Sequence, residues 1–140
     1  MLPTHHSAEH ILTAVFGELY NAKIIDSRFK GTKVRCDYQI TSEEPLAEIC
    51  AAAEKRANQI ISENRDVTFE EVTREEAERL CSLHRLPEGA QKIRLVRIGE
   101  GVLTPCVGEH VKNTSEIGGL KIRTFDWVQP GVIRLNFGVE

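Results

Sequence analysis

Two pairs of side chains stand out by type and spacing. His6 and His10 lie four positions apart near the start of an apolar-striped segment, and Cys106 and His110 lie four apart near the other end. On a helix, residues at i and i+4 share a face, so the two imidazoles of the first pair can reach one ion. Either pair alone is commonplace. Together they offer three imidazoles and one thiolate from segments 96 positions apart, a donor set that matches zinc in ligand type and number. The expected metal ligands are therefore His6, His10, Cys106 and His110. His5 has Glu9 as its i+4 neighbour and reads as a flanking residue, and His84, in "SLHRLP", reads as an exposed loop histidine.

"HSAEH" also fits H-x-x-E-H, the inverted zinc-peptidase pattern, in which Glu9 would be the general base. Such a peptidase needs a carboxylate ligand from another helix and a cleft for a peptide. Here the downstream partners are a thiol and an imidazole.

The elements that must carry these residues can be read from periodicity. Residues 7–20 place apolar side chains at Ala8, Ile11, Leu12, Val15, Phe16, Leu19 and Tyr20, the stripe of an amphipathic helix. "KIIDSRF" and "VRCDYQI" flank a turn near Gly31 and predict a hairpin with Val34, Cys36, Tyr38 and Ile40 on one face. A second, long helix is expected to begin with Ser42, early acids and Pro45 and to run through Ile61. "VTFEEV" predicts a short strand, and Thr73 with Glu76 has the spacing of a capping box for a helix through Leu80. Residues 92–99, 120–128 and 132–139 read as strands, the last two joined by Gln129-Pro130-Gly131. The sum is an α+β fold, mostly antiparallel sheet with helices packed on one face.

With 140 residues, of which 41 % are hydrophobic and 28 % charged, residues 1–140 suit a single domain without a membrane span. The N-terminal residues lack a basic and then apolar leader, so a cytoplasmic protein is expected. Cys36, Cys50 and Cys81 form no C-x-x-C pair and read as free thiols within the fold. The net charge of −3 argues against a general nucleic-acid coat, yet Lys23, Arg28, Lys30, Lys33 and Arg35 face Asp26 alone within residues 23–35. Residues 63–79 are rich in acids and read as a solvated face.

Two motifs carry a family resemblance. "HSAEHIL" resembles the H-x-x-x-H helix, and "CVGEHVKNTSEIGGLKI" the C-x-G-x-H-V-x-N-T-x-E-I-G-x-x-K-I segment, of the alanyl-tRNA synthetase editing domain. The chain is similar in order and size to its freestanding short form, the AlaX group. The threonyl-tRNA synthetase editing domain shares the paired ligands, but "NTSEIGGLKI" looks like the alanyl version. The resemblance implies hydrolysis of the ester of a mischarged alanine tRNA, bearing serine first and glycine second, at a zinc site. It also implies Ser27, Thr114 and Glu116 as candidates for touching the aminoacyl group or terminal adenosine, and the basic hairpin for the acceptor phosphates. Gly118 and Gly119 are expected to serve a tight turn.

The family pattern has a hydroxyl or apolar residue where Glu9 stands and a threonine where Glu109 stands. Both acids adjoin ligands, so each is a candidate for orienting an imidazole, accepting a proton or altering which amino acid fits. Glu9 could equally face solvent. A zinc-ordered module that binds RNA without chemistry is the remaining alternative.

Overall fold

The computed structural model describes residues 2–81, 89, 91–99 and 101–140, so the expectation for His84 lies outside the described residues. Helix α1, Pro3–Tyr20, begins earlier than the apolar stripe because Pro3 occupies the first helical turn, where its missing N–H costs nothing. It stops at Asn21, in the left-handed conformation at φ 52°, whose N–H returns to Gly17. Strands β1, Lys23–Lys30, and β2, Lys33–Gln39, form the hairpin, and Val34, Cys36, Tyr38 and Ile40 are buried as their alternation requires.

Helix α2, Leu46–Ile61, starts after Pro45 and not at Ser42. The Ser42 hydroxyl instead accepts from the Glu44 N–H in a local turn. Strand β3, Val67–Thr73, leads into α3, Arg74–Leu80, whose first turn is capped by the Thr73 hydroxyl accepting from the Glu76 N–H at 3.2 Å. Strands β4, Lys92–Ile98, β5, Val102–Pro105, β6, Leu120–Gln129, and β7, Val132–Val139, complete the described elements, with one 3-10 turn at Thr114–Glu116.

The strands make two antiparallel sheets, of order β1-β2-β7-β6 and β3-β4-β5. Helices α1 and α2 pack together on the inner face of the larger sheet over one continuous core. On the smaller sheet, Ala77 of α3 meets Ile93 and Leu95. Edge strand β6 is shielded at its start by α2. Asn58 bonds both backbone groups of Leu120, at 2.8 and 2.9 Å, and Glu54 accepts from the Ile122 N–H at 2.7 Å. Gly118 has a φ of 83° beside the chain crossing at Gly119 and Glu140, which exchange two backbone hydrogen bonds. No helix among the described residues is long and apolar enough to cross a membrane.

On the outer face of the larger sheet, Asp37 and Arg134 stand opposite one another in register and share two hydrogen bonds of 2.9 and 3.0 Å. The Arg134 guanidinium holds the buried Asp37 carboxyl below the usual carboxylate range. A depressed carboxyl contributes stability above its unfolded value of about 3.9 and loses it as pH falls through the lower folded value. Asp37→Asn should therefore be less stable than the wild type at neutral pH, and the gap should close in acid. Denaturant melts at a series of pH values test this; a gap that stays constant down to pH about 3 would remove the pair from the acid response.

Candidate metal centre

The first turns of α1 meet the loop that follows β5, and there the two expected pairs converge. The donor atoms of His6, His10, Cys106 and His110 all lie within 4.8 Å of one another. The His6 Nε2 is 3.0 Å from the Cys106 Sγ, and the His6 and His110 rings stack at 4.1 Å. Each imidazole is anchored by its other nitrogen. The Nδ1 of His6 donates to the Glu109 carbonyl at 3.1 Å, that of His10 meets Glu9 Oε2 at 3.1 Å, and that of His110 meets the Ser7 hydroxyl at 3.0 Å. With the proton on Nδ1, the Nε2 lone pair is the metal-binding one. The His110 Nε2 is buried without a hydrogen-bond partner among the described residues, a cost that an ion at the centre would offset.

The electrostatics agree with this donor set. Burial pushes the Cys106 thiol up, but the His10, His110 and His6 rings gathered around its sulfur and the Gly108 backbone outweigh it and bring it down to about 3. The sulfur is then a thiolate at neutral pH, the form that binds metal. Burial also pulls His10 down, and its contacts with Cys106 and Glu9 overcome that and hold it above its ordinary value. Burial lowers His110. The four residues could hold a metal ion, and three imidazoles with one thiolate suit zinc.

Glu9 does not face solvent: it is 1 % exposed. The Thr13 hydroxyl donates to Glu9 Oε1 at 3.1 Å and lies 2.9 Å from the Tyr38 hydroxyl. A buried chain thus runs from His10 through Glu9 and Thr13 to Tyr38. Glu109 is different, because its side chain is exposed and only its backbone carbonyl serves the site. The open space beside the cluster is a pocket of about 180 Å³ lined by His6, Glu9, His10, Ser27, Phe29, Pro105 and Cys106.

Of the expected contact residues, Ser27 reaches this pocket from β1. Thr114 is buried, its hydroxyl donating to the Ile61 carbonyl and accepting from the Arg65 N–H. Glu116 accepts from the backbone N–H groups of Lys112 and Asn113 and closes a capping box. Both fold the loop, and neither lines the pocket. Arg28, Lys30, Lys33 and Arg35 surround a depression of about 400 Å³ with Phe29 and Asn136, whereas Lys23 lies at the other end of the hairpin.

Two supporting residues escaped the sequence reading. Ser7, one place after His6, is wholly buried, holds His110 and also accepts from the Val111 N–H at 3.2 Å. Arg94 on β4 donates to the Gly108 carbonyl at 3.0 Å and lies 3.9 Å over the Phe69 ring, bracing the ligand loop. A hydroxyl between two candidate ligands was the available signal for Ser7. Nothing in an arginine on an alternating strand marked Arg94.

An α+β fold of two antiparallel sheets, with H-x-x-x-H on its first helix and C-x-x-x-H on a loop between them, is of the aminoacyl-tRNA synthetase editing-domain type. Residues 93–136 match the family described as the threonyl and alanyl tRNA synthetase second additional domain. The chain is 34 % identical over 142 residues to an alanine–tRNA ligase of Sulfurisphaera tokodaii and 36 % over 142 residues to that of Archaeoglobus fulgidus, in each case across 95 % of this chain and 15 % of that enzyme. An alanine–tRNA ligase of Staphylothermus marinus is 34 % identical over 144 residues, across 97 % of this chain and 15 % of the enzyme. Over 95 % of its length the chain is similar to a stretch of the alanine–tRNA ligases, and it spans 15 % of the length of these enzymes.

Proposed function

We propose that this chain, as a single unit over residues 1–140, hydrolyses the ester linking a wrong amino acid to alanine tRNA, serine first and glycine second, in the cytoplasm. The observation that carries the reading is the convergence of His6, His10, Cys106 and His110 beside a pocket of about 180 Å³. A site built for alanine rejects serine poorly, whereas a second site that hydrogen-bonds the added hydroxyl can discriminate strongly. Ser27 on the pocket wall supplies such a hydroxyl partner.

A zinc ion bound by the four ligands would shape the pocket and anchor the amino acid's polar groups. The protein's own part is to hold the ester beside Ser27 in reach of a water, since an aminoacyl ester is already activated. Arg28, Lys30, Lys33 and Arg35 give the outer face of the β1–β2 hairpin a positive surface despite the net charge of −3, suited to RNA phosphates. The peptidase reading fares worse, because the downstream donors are a thiolate and an imidazole and Glu9 is bonded to His10 and Thr13.

The test is release of amino acid from seryl-, glycyl- and alanyl-tRNA of the alanine type, with and without a chelator. Chelator-sensitive loss of serine with alanine spared is expected. Binding of the tRNA without release would instead describe a zinc-ordered RNA module.

A further inference from the structure

The three imidazoles of the cluster are held by partners of different kinds. His6 rests on the Glu109 backbone carbonyl and His110 on the Ser7 hydroxyl, both within the segments that carry the ligands. His10 alone is held by a side-chain carboxylate, that of Glu9, at 3.1 Å. A carboxylate on a glutamate stem can turn about its last bonds, so the setting of His10 depends on what fixes Glu9 in its turn.

The directions of the hydrogen bonds behind Glu9 can be assigned. A threonine hydroxyl has one proton, and that of Thr13 goes to Glu9 Oε1 at 3.1 Å. The 2.9 Å contact between the Thr13 and Tyr38 hydroxyls is then a bond donated by Tyr38 to Thr13. The protons all point one way, from Tyr38 to Thr13 to Glu9, and each donor in such a series is strengthened by the one behind it. Tyr38 itself has little freedom. It is 0 % exposed on β2, stands opposite Ile24 of β1 and Ile133 of β7, and stacks on Phe16 of α1 with ring centroids 4.3 Å apart. The series therefore begins at a fixed point on an inner strand of the larger sheet and ends at a metal-ligand candidate on the helix.

We infer that Tyr38 is a positioning residue for the metal centre: through Thr13 and Glu9, its hydroxyl sets the orientation of His10 and keeps the proton on Nδ1, leaving Nε2 for the ion. This rests on the four-ligand metal reading above. It makes the interior of the sheet, as well as helix α1, part of the frame that holds the ion.

The experiment measures zinc affinity by chelator competition, and the absorption spectrum of the cobalt form, for the wild type, Tyr38→Phe, Thr13→Val and the double variant. Phenylalanine keeps the ring and its stacking on Phe16, and valine keeps the branched shape of threonine, so each change removes one hydroxyl. Each single variant should bind zinc about three- to tenfold more weakly, less than the loss of a direct partner of a ligand, and should shift the cobalt bands, which a role confined to packing would leave unmoved. The two losses should not add: in the Thr13→Val background, Tyr38→Phe should change the affinity by less than about twofold. Wild-type affinity and spectrum in Tyr38→Phe would overturn the inference, and so would losses that add in full, because the Tyr38 hydroxyl would then act by a route that bypasses Thr13. Thr13→Val decides the matter if Tyr38→Phe does not fold, since wild-type affinity in that variant breaks the series at its middle. A wild type that takes up neither metal would overturn the metal site itself, a result distinct from bound metal that ignores the hydroxyls.

Discussion

Replacing Cys106 with alanine should abolish zinc binding and deacylation together while leaving the fold in place. Cys106 is half-buried at the margin of the core, so removing its sulfur costs little packing. It sits, however, beside three imidazoles whose ring centroids lie 4.1 to 4.8 Å from one another, and these hold its thiol well below the usual range. Loss of a supporting contact to a ligand commonly weakens a metal site 10- to 100-fold, so loss of the thiolate itself should exceed roughly 100-fold. The zinc-dependent rise in melting temperature should vanish with it, a contribution of about 2.7 kcal/mol when free zinc is 100 times its Kd. Metal content, thermal melts with added zinc and seryl-tRNA hydrolysis measure the three effects. A variant that keeps its zinc sinks the four-ligand site, and one that loses zinc yet deacylates fully separates the ion from the chemistry.

Glu9→Gln should lower zinc affinity about 10- to 100-fold in a protein that still folds. The Glu9 carboxylate uses one oxygen for His10 Nδ1 and the other for the Thr13 hydroxyl. Glutamine keeps the shape but replaces a charge-assisted bond with a neutral one, and its amide nitrogen must face one of two donors. Glu9→Leu should go further, since it takes from the His10 Nδ1–H its carboxylate acceptor inside the protein, at a cost of about 1–3 kcal/mol, while the Thr13 hydroxyl can turn to that of Tyr38. Chelator competition gives the affinity, and a cobalt-substituted spectrum reports the ligand geometry that a space-filling role would leave untouched. Unchanged affinity in Glu9→Gln would reduce the carboxylate to packing. The result also bears on serine preference, because Glu9 lines the pocket.

The meeting of His6, His10, Cys106 and His110 and the main helices were legible because type and period point the same way there. The alternation of Val34, Cys36 and Tyr38 likewise named the buried face of β2 before any coordinates. Glu9 was harder, and the reason is geometric. Every residue from His5 to Leu12 is buried, because sheet and ligand loop enclose α1 on several sides near the cluster. A single apolar stripe cannot announce a helix covered all round. Strand β5 was missed since four residues ending in proline carry too little pattern. Thr114 and Glu116 show a further limit: a hydroxyl and a carboxylate near a ligand loop look the same in sequence whether they meet a substrate or their own backbone.

The distance in sequence between the two ligand pairs has a consequence for how the molecule comes apart. An ion held by His6, His10, Cys106 and His110 is a reversible staple across 96 positions of chain, and the closure entropy of so long a loop is lost from the unfolded state much as with a disulfide. The start of α1 and the loop from residue 106 to 113 would then be one opening unit. Amide exchange at both should accelerate in concert when zinc is withdrawn, while the β2–β7 centre of the larger sheet keeps its own slower clock.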